Sequence, residues 1–123
     1  MESKQEKLEE LNKQMLACSQ CALRKTCHQV VPGAGSAEAE IMFIGEGPGQ
    51  KEDELGIPFV GAAGKFLDEM LGTIKLKREA VYIANVVKCR PPQNRDPLLE
   101  ESEICWPWLE KQIEIINPKL IIT

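Results

Sequence analysis

The stretch Ile41-Met42-Phe43-Ile44-Gly45-Glu46-Gly47-Pro48-Gly49 decides the fold. Four apolar residues run without a break and end in glycine, the pattern of a short strand buried in a parallel sheet. The glycines at 45, 47 and 49 follow the strand directly, where open α/β sheets place their binding crevice. Closely spaced glycines let backbone N–H groups approach a ligand, and Pro48 stiffens the turn. From these residues alone, a tight structural turn reads equally well. The spacing is not G-x-G-x-x-G. Nor is it a P-loop, since Gly64-Lys65 is followed by Phe66 rather than by Ser or Thr.

Working outward, Val81 to Val87 reads as a second buried strand and Leu120-Ile121-Ile122 as the start of a third. Between them lie helical patterns. Residues 63–74 carry Phe66, Leu67, Met70, Leu71 and Ile74 at helical spacing, and 98–116 are helical with Pro107 set to kink the helix or open a new first turn. Residues 4–17 predict a helix with Leu8, Leu11 and Met15 on its inner face. Residues 22–40 and the charged stretch from Gln50 to Gly56 read as irregular, and Pro91 to Pro97 as a rigid loop. Strands alternating with helices imply an α/β class with a parallel sheet and right-handed crossovers.

The chain has 123 residues, which allows at most one domain. It holds no apolar run long enough for a membrane span, and its charged N-terminus lacks the apolar segment of a signal peptide. The formal net charge of −4 argues against a dedicated nucleic-acid coat protein. It leaves room for a local basic groove, because acids are concentrated in Glu2–Glu10 and Glu100–Glu103. Five cysteines without a secretory signal point to a reducing, cytoplasmic setting, where metal ligation is favoured over disulfides.

Four of those cysteines form a pattern. Cys18 and Cys21 make a C-x-x-C pair, and Cys89 and Cys105 follow far downstream. A close pair and two distant thiols converge on one soft metal only if the fold joins the ends. Such a quartet suits zinc or an iron–sulfur cluster, and the spacing is not that of a zinc ribbon. Cys27 is either a third local ligand or a free thiol, and His28 receives no role. Arg24, Lys25, Lys88, Arg90 and Arg95 surround the cysteines in sequence. They line a phosphate path, offset a thiolate cluster, or are solvated singly.

Two further side chains stand out. Phe59, in the glycine-flanked segment Gly56 to Gly61, is either a ring that stacks on a planar ligand or a hydrophobic plug. Asn85, in an otherwise apolar strand, needs hydrogen-bond partners. It is either a satisfied core amide or a reader of a base edge that offers both a donor and an acceptor.

Taken together, C-x-x-C, GEGPG after the first strand, GIPFVGAAGKFLD, YIANVVKCRPPQNRDP and C-x-P-x-L resemble the family 4 uracil-DNA glycosylases, which carry an iron–sulfur cluster. The resemblance spans nearly the whole chain. It implies a three-layer α/β/α fold forming a single domain over residues 1–123. It also implies a 4Fe–4S cluster on Cys18, Cys21, Cys89 and Cys105, with Cys27 matching no ligand. Glu46 and Gly47 then flank the scissile bond, Gly45 and Gly49 supply close backbone approach, Phe59 stacks on flipped uracil, and Asn85 reads its edge. The implied partner is uracil-containing DNA, single- or double-stranded, bound by a monomer with no membrane.

The resemblance has departures. Gly47 stands where many superfamily relatives carry an aspartate, so catalysis leans on stabilising the departing uracil anion. The histidine-proline-serine motif falls beyond Thr123, and the domain is expected to be truncated at its C-terminus, with slow or undetectable excision by residues 1–123 alone. The basic, histidine-bearing insert of DNA-trapping relatives is missing after Gly49. One competing reading is an inactive iron–sulfur DNA-binding remnant. Another is a nucleotide or electron-transfer module, for which only Asp68 and Glu69 fall near the distance of a ribose-binding acid.

Overall fold

The fold is built on one mixed four-stranded sheet in the order β1-β3-β2-β4, formed by Ala34–Gly35, Ile41–Gly45, Tyr82–Asn85 and Leu120–Ile122 in chain order. The computed structural model describes residues 3–17, 22–25 and 27–123. Strand β2 pairs in parallel with both β3 and β4, placing Gly45 opposite Asn85 and Ile41 opposite Leu120. The short β1 adds an antiparallel edge on β3 within the 22–40 segment expected to be irregular.

Helices cover both faces. Along β2 and β3, alternate residues point to opposite sides, as strand geometry requires. Met42, Tyr82 and Ala84 pack with Leu8 of α1 (Lys4–Leu16) and with Leu109 and Ile116 of α4 (Leu99–Ile116). Phe43 and Ile83 face the other way, onto Leu67 and Leu71 of α3 (Ala62–Thr73). The result is the three-layer α/β/α arrangement expected from the motifs. A third core cluster, holding Leu11, Met15, Leu23, Val30, Val87, Cys89 and Cys105, also draws in the partly buried Trp108.

The connections place the site. From β2 the chain passes through α2 (Gln50–Leu55) and α3 to β3 on one side of β2. It then passes through α4 to β4 on the other side. The strand order therefore reverses about β2, and the crevice at such a reversal lies beyond the C-terminal strand ends.

Local structure follows from named contacts. Ser3 caps α1 by accepting the Glu6 N–H at 3.1 Å, and such a cap is worth about 1 kcal/mol. Helix α4 runs through Pro107 as one continuous element, rather than restarting there. It ends at Asn117, whose left-handed conformation places its N–H on the Ile113 carbonyl at 2.7 Å.

Two sequence expectations need correction. The charged stretch after Gly49 is the helix α2 rather than irregular chain. Only Asp53 of its residues is buried, so no apolar period betrays it. On α3 the apolar stripe is wider than the seam it makes. Leu67 and Leu71 are buried, whereas Phe66 (64% exposed), Met70 and Ile74 face outward. No helix among the described residues is long and apolar enough to cross a membrane.

Candidate active site

The C-terminal ends of β2 and β3 lie side by side, and the parallel pairing continues into the loops. Val86 N–H donates to Gly45 O at 2.9 Å and Val87 N–H to Glu46 O at 3.1 Å. This ladder brings the glycine loop against Asn85, which is only 3% exposed. A cleft of about 100 Å³ opens there, lined by Gly47, Glu52, Phe59, Gly61, Ala62 and Asn85.

Gly45 is required by close approach. A Cβ at that position would lie 2.4 Å from Asn85 Oδ1 and 2.5 Å from Phe59 Cζ. The Phe59 ring and the Asn85 amide therefore both rest on the Gly45 backbone. Phe59 reaches this place by adopting φ 54°, a left-handed conformation that costs a non-glycine residue roughly 1–2 kcal/mol.

Glu52 organises the rim. Its carboxylate, at the third position of α2, reaches back to accept the N-cap Gly49 N–H at 2.9 Å, and accepts the Val60 and Gly61 N–H groups at 2.9 and 2.7 Å. Partial burial works to raise its pKa. The backbone donors outweigh that burial and hold the carboxyl below the usual range. One anionic side chain thus ties the glycine loop to the Phe59 turn. Asp53, its neighbour, is buried and accepts the His28 and Gln29 N–H groups at 2.8 and 3.2 Å.

A second groove adjoins the cleft at Gly47. It is lined by Glu46, Pro48, Gly49, Pro91, Arg95 and Asp96, among others. Glu46 is exposed and borders this groove rather than the inner cleft. Arg95 forms a two-pronged pair with Glu101, at 2.8 and 2.9 Å.

Lys88 does not belong to a surface path. It is 2% exposed, and its ammonium donates to Asn85 O and to Gln112 Oε1, both at 2.7 Å. Burial lowers its pKa to about 7, against an opposing pull from Cys105. Gln112 passes the network on by donating to Pro32 O at 2.7 Å.

The cysteine end lies four residues further along the β3 chain. Cys89 and Cys105 are buried on one cleft walled by Met15, Val30 and Trp108, with Arg24 also on its border. Burial, with Cys27 and Cys105 nearby, pushes the Cys89 thiol well up, and Arg24 opposes that rise. Cys27 is partly buried, with Arg24 Nη1 3.8 Å from its sulfur. Cys18 and Cys21 lie outside the described residues. Met15 and Arg24, which flank that pair on either side in sequence, both border the cleft that holds Cys89 and Cys105. Among the described residues, no three His, Cys, Asp or Glu side chains form a metal-holding group.

The structure thus brings Gly45, Gly47, Phe59 and Asn85 to one cleft, and Cys89 and Cys105 to another. Glu52 does not stand out in the sequence by residue type; its place three residues after Gly49, where a glutamate in the first turn of a helix can reach back to the N-cap N–H, is the signal that points to it.

A crevice at the sheet's reversal point, walled by a glycine loop, an aromatic ring and an amide, is the site that this α/β fold builds. Residues 32–123 match the model of the uracil DNA glycosylase superfamily, and the chain belongs to that family. It is similar to the type-4 uracil-DNA glycosylase of Archaeoglobus fulgidus, 53% identical over 117 residues covering 95% of this chain and 59% of the relative. The type-4 uracil-DNA glycosylase of Sulfurisphaera tokodaii is 51% identical over 94% of this chain and 53% of its own length. That of Thermotoga maritima is 47% identical over 99% of this chain and 64% of its own. The chain therefore spans between about half and two-thirds of the length of these relatives.

Proposed function

We propose that this protein is a uracil-DNA glycosylase of base excision repair, acting as a monomer on single- or double-stranded DNA that contains uracil. The observation that carries this reading is the convergence of Phe59, Asn85 and Gly45 at the reversal point of the sheet. A base cannot be cut from the stack, so it is extruded into a pocket. The ring of Phe59 supplies a stacking face, and the Asn85 amide offers one donor and one acceptor to the base edge.

The bond from deoxyribose C1′ to uracil N1 breaks, and its electron pair leaves with uracil. Donors fixed before the reaction stabilise that anion at no reorganisation cost. Here they are the Asn85 amide and the Gly47 backbone N–H, in a loop held by the Gly49 N–H on Glu52 and by the β2–β3 pairing. Glu46, where the outer groove meets the cleft at Gly47, orients the water that attacks C1′. Water supplies the new hydroxyl on C1′, its other proton neutralises the departed uracil anion, and an abasic site remains. The outer groove accepts the DNA strand beside the extruded nucleotide.

We assign a 4Fe–4S cluster to Cys18, Cys21, Cys89 and Cys105. The cleft supports this: two thiols from distant segments meet there, and both flanks of the C-x-x-C pair border it. When bound, the cluster serves as a structural tie between the N-terminal segment, the β3 extension and α4. Thiolate ligation of this kind belongs to a reducing compartment and so to the cytoplasm. Residues 1–123 are taken to form a single domain around the sheet.

The test is single-turnover cleavage of a uracil-containing oligonucleotide by the full-length protein, with alkali to break abasic sites. Uracil-dependent breaks are expected, and Asn85→Asp should weaken discrimination, because an amide donor becomes an acceptor. DNA binding without uracil-dependent breaks would favour the inactive iron–sulfur remnant instead.

A further inference from the structure

The Phe59 turn is gripped on both sides. Its following N–H groups, from Val60 and Gly61, go to the Glu52 carboxylate. Its carbonyls go to Arg78. The Arg78 guanidinium donates from Nη1 to Pro58 O at 3.1 Å, from Nη2 to Phe59 O, and from Nη2 to Gly64 O at 3.2 Å. Its Nε is paired with Asp68 on α3. Arg78 sits in the short 3-10 turn Arg78–Ala80 just before β3, so the clamp is anchored to the strand that carries Asn85.

Packing leaves no slack in this arrangement. A Cβ on Gly64 would lie 1.9 Å from Phe59 O and 2.9 Å from Arg78 Nη2. The first turn of α3 therefore abuts the Phe59 carbonyl, and the guanidinium fills the space beside it. A left-handed non-glycine residue persists only where its surroundings over-determine it. Here a carboxylate holds the donors of the turn and a guanidinium holds its acceptors. A planar, rigid fork can reach three carbonyls at once, which a lysine ammonium on a flexible stem cannot do in the same geometry.

We infer that Arg78 is a positioning residue for base recognition: it holds Phe59 in its left-handed turn so that the ring stays seated over Gly45 beside Asn85. The inference rests on the reading of Phe59 as the base-stacking ring. Arg78 itself touches no base. It acts through the angle and depth of the ring, and so sets how tightly a planar base is held.

The first readout needs no ligand. In the anaerobically purified protein, nuclear Overhauser contacts between the Phe59 ring and the Gly45 α-protons should be present. They should be lost in Arg78→Ala and weakened in Arg78→Lys, while contacts across the Gly45–Asn85 pairing persist. Asp68→Asn, which removes only the ion pair, should leave the ring contacts in place. The second readout is a double-mutant cycle on binding of free uracil. Arg78→Ala should weaken binding about tenfold, within the range a base–aromatic stack supplies. In a Phe59→Ala background the same change should cost less than about twofold, because coupled residues are not additive.

Ring contacts unchanged in Arg78→Ala would overturn the inference, as would an equal loss of binding in both backgrounds. Loss of the folded spectrum in both Arg78→Ala and Arg78→Lys would also overturn it, by showing that Arg78 supports the fold at large. Uracil failing to bind the unaltered protein, with the ring contacts still lost in Arg78→Ala, would refute the base-binding reading and leave the clamp standing.

Discussion

The Asn85 cleft and the cysteine cleft hang on the same stretch of chain yet are held in opposite ways. Asn85 ends β3 and Cys89 lies four residues beyond it. Around Asn85, charged side chains of the protein fix the backbone: Glu52 takes three N–H groups and Arg78 three carbonyls. Around Cys89, the apolar walls are Met15, Val30 and Trp108, and the thiol of Cys105 shares the cleft with Arg24 and Lys88. The first region is preorganised by hydrogen bonds made within the chain. The second brings together two buried thiols, Cys89 and Cys105, between apolar walls. Lys88 stands between them, facing the cysteine cleft while donating to the Asn85 carbonyl.

The largest effect that sharpens this contrast is on the metal. Anaerobically purified protein should be brown, with broad absorption near ~400 nm from thiolate-to-iron charge transfer. Cys105→Ser should abolish iron retention, whereas Cys27→Ser should keep it. Stoichiometric zinc without iron would break the cluster assignment.

Next in size is the link between the regions. Lys88→Ala strands the Asn85 carbonyl and the Gln112 amide oxygen in a buried site. Each unsatisfied group costs about 1–3 kcal/mol, so chemical denaturation should report a loss of that order or more. An unchanged midpoint would mean that water replaces the ammonium, and that the two regions are not tied through it.

On the pocket side, Phe59→Ala should cost roughly 1–3 kcal/mol of base binding, read by uracil titration, with little change in iron content. Cluster loss in this variant would contradict the separation of the two regions. The smallest effect is acid sensitivity. The Glu52 carboxyl lies below its ordinary value of 4.5 in the folded protein. Its contribution to stability is therefore complete above that value and lost as pH falls through the depressed folded value. Glu52→Gln should cost about 1 kcal/mol near neutral pH and flatten the acid limb of the stability profile. An acid limb of unchanged steepness would count against Glu52 as its source.

Much of this plan is legible in the sequence because it rests on period and punctuation. The run Ile41–Ile44 with its glycines gives the central strand and crevice, and the Leu8, Leu11, Met15 spacing gives the buried face of α1. Phe59 and Asn85 stand out as an aromatic among glycines and an amide in an apolar strand. Glu52 and Arg78 look like ordinary surface charges in sequence, since their partners are backbone groups up to 20 residues away. Lys88 reads as one of five basic residues near the cysteines, and only the fold shows it sealed under Asn85. Phe66, Met70 and Ile74 mislead in the opposite sense, because helical spacing marks a stripe without saying how much of it a sheet covers.

The most direct measurement is a titration of free uracil into isotope-labelled, anaerobically purified protein, followed by nuclear magnetic resonance at the Asn85 side-chain amide, the Phe59 ring and the Gly47 N–H. The account predicts saturable shifts at all three, and their disappearance in Gly45→Ala, whose Cβ would fall 2.4 Å from Asn85 Oδ1 and 2.5 Å from the Phe59 ring. Saturable binding that leaves these signals unmoved, or that survives Gly45→Ala unchanged, would contradict the claim that this cleft receives the base.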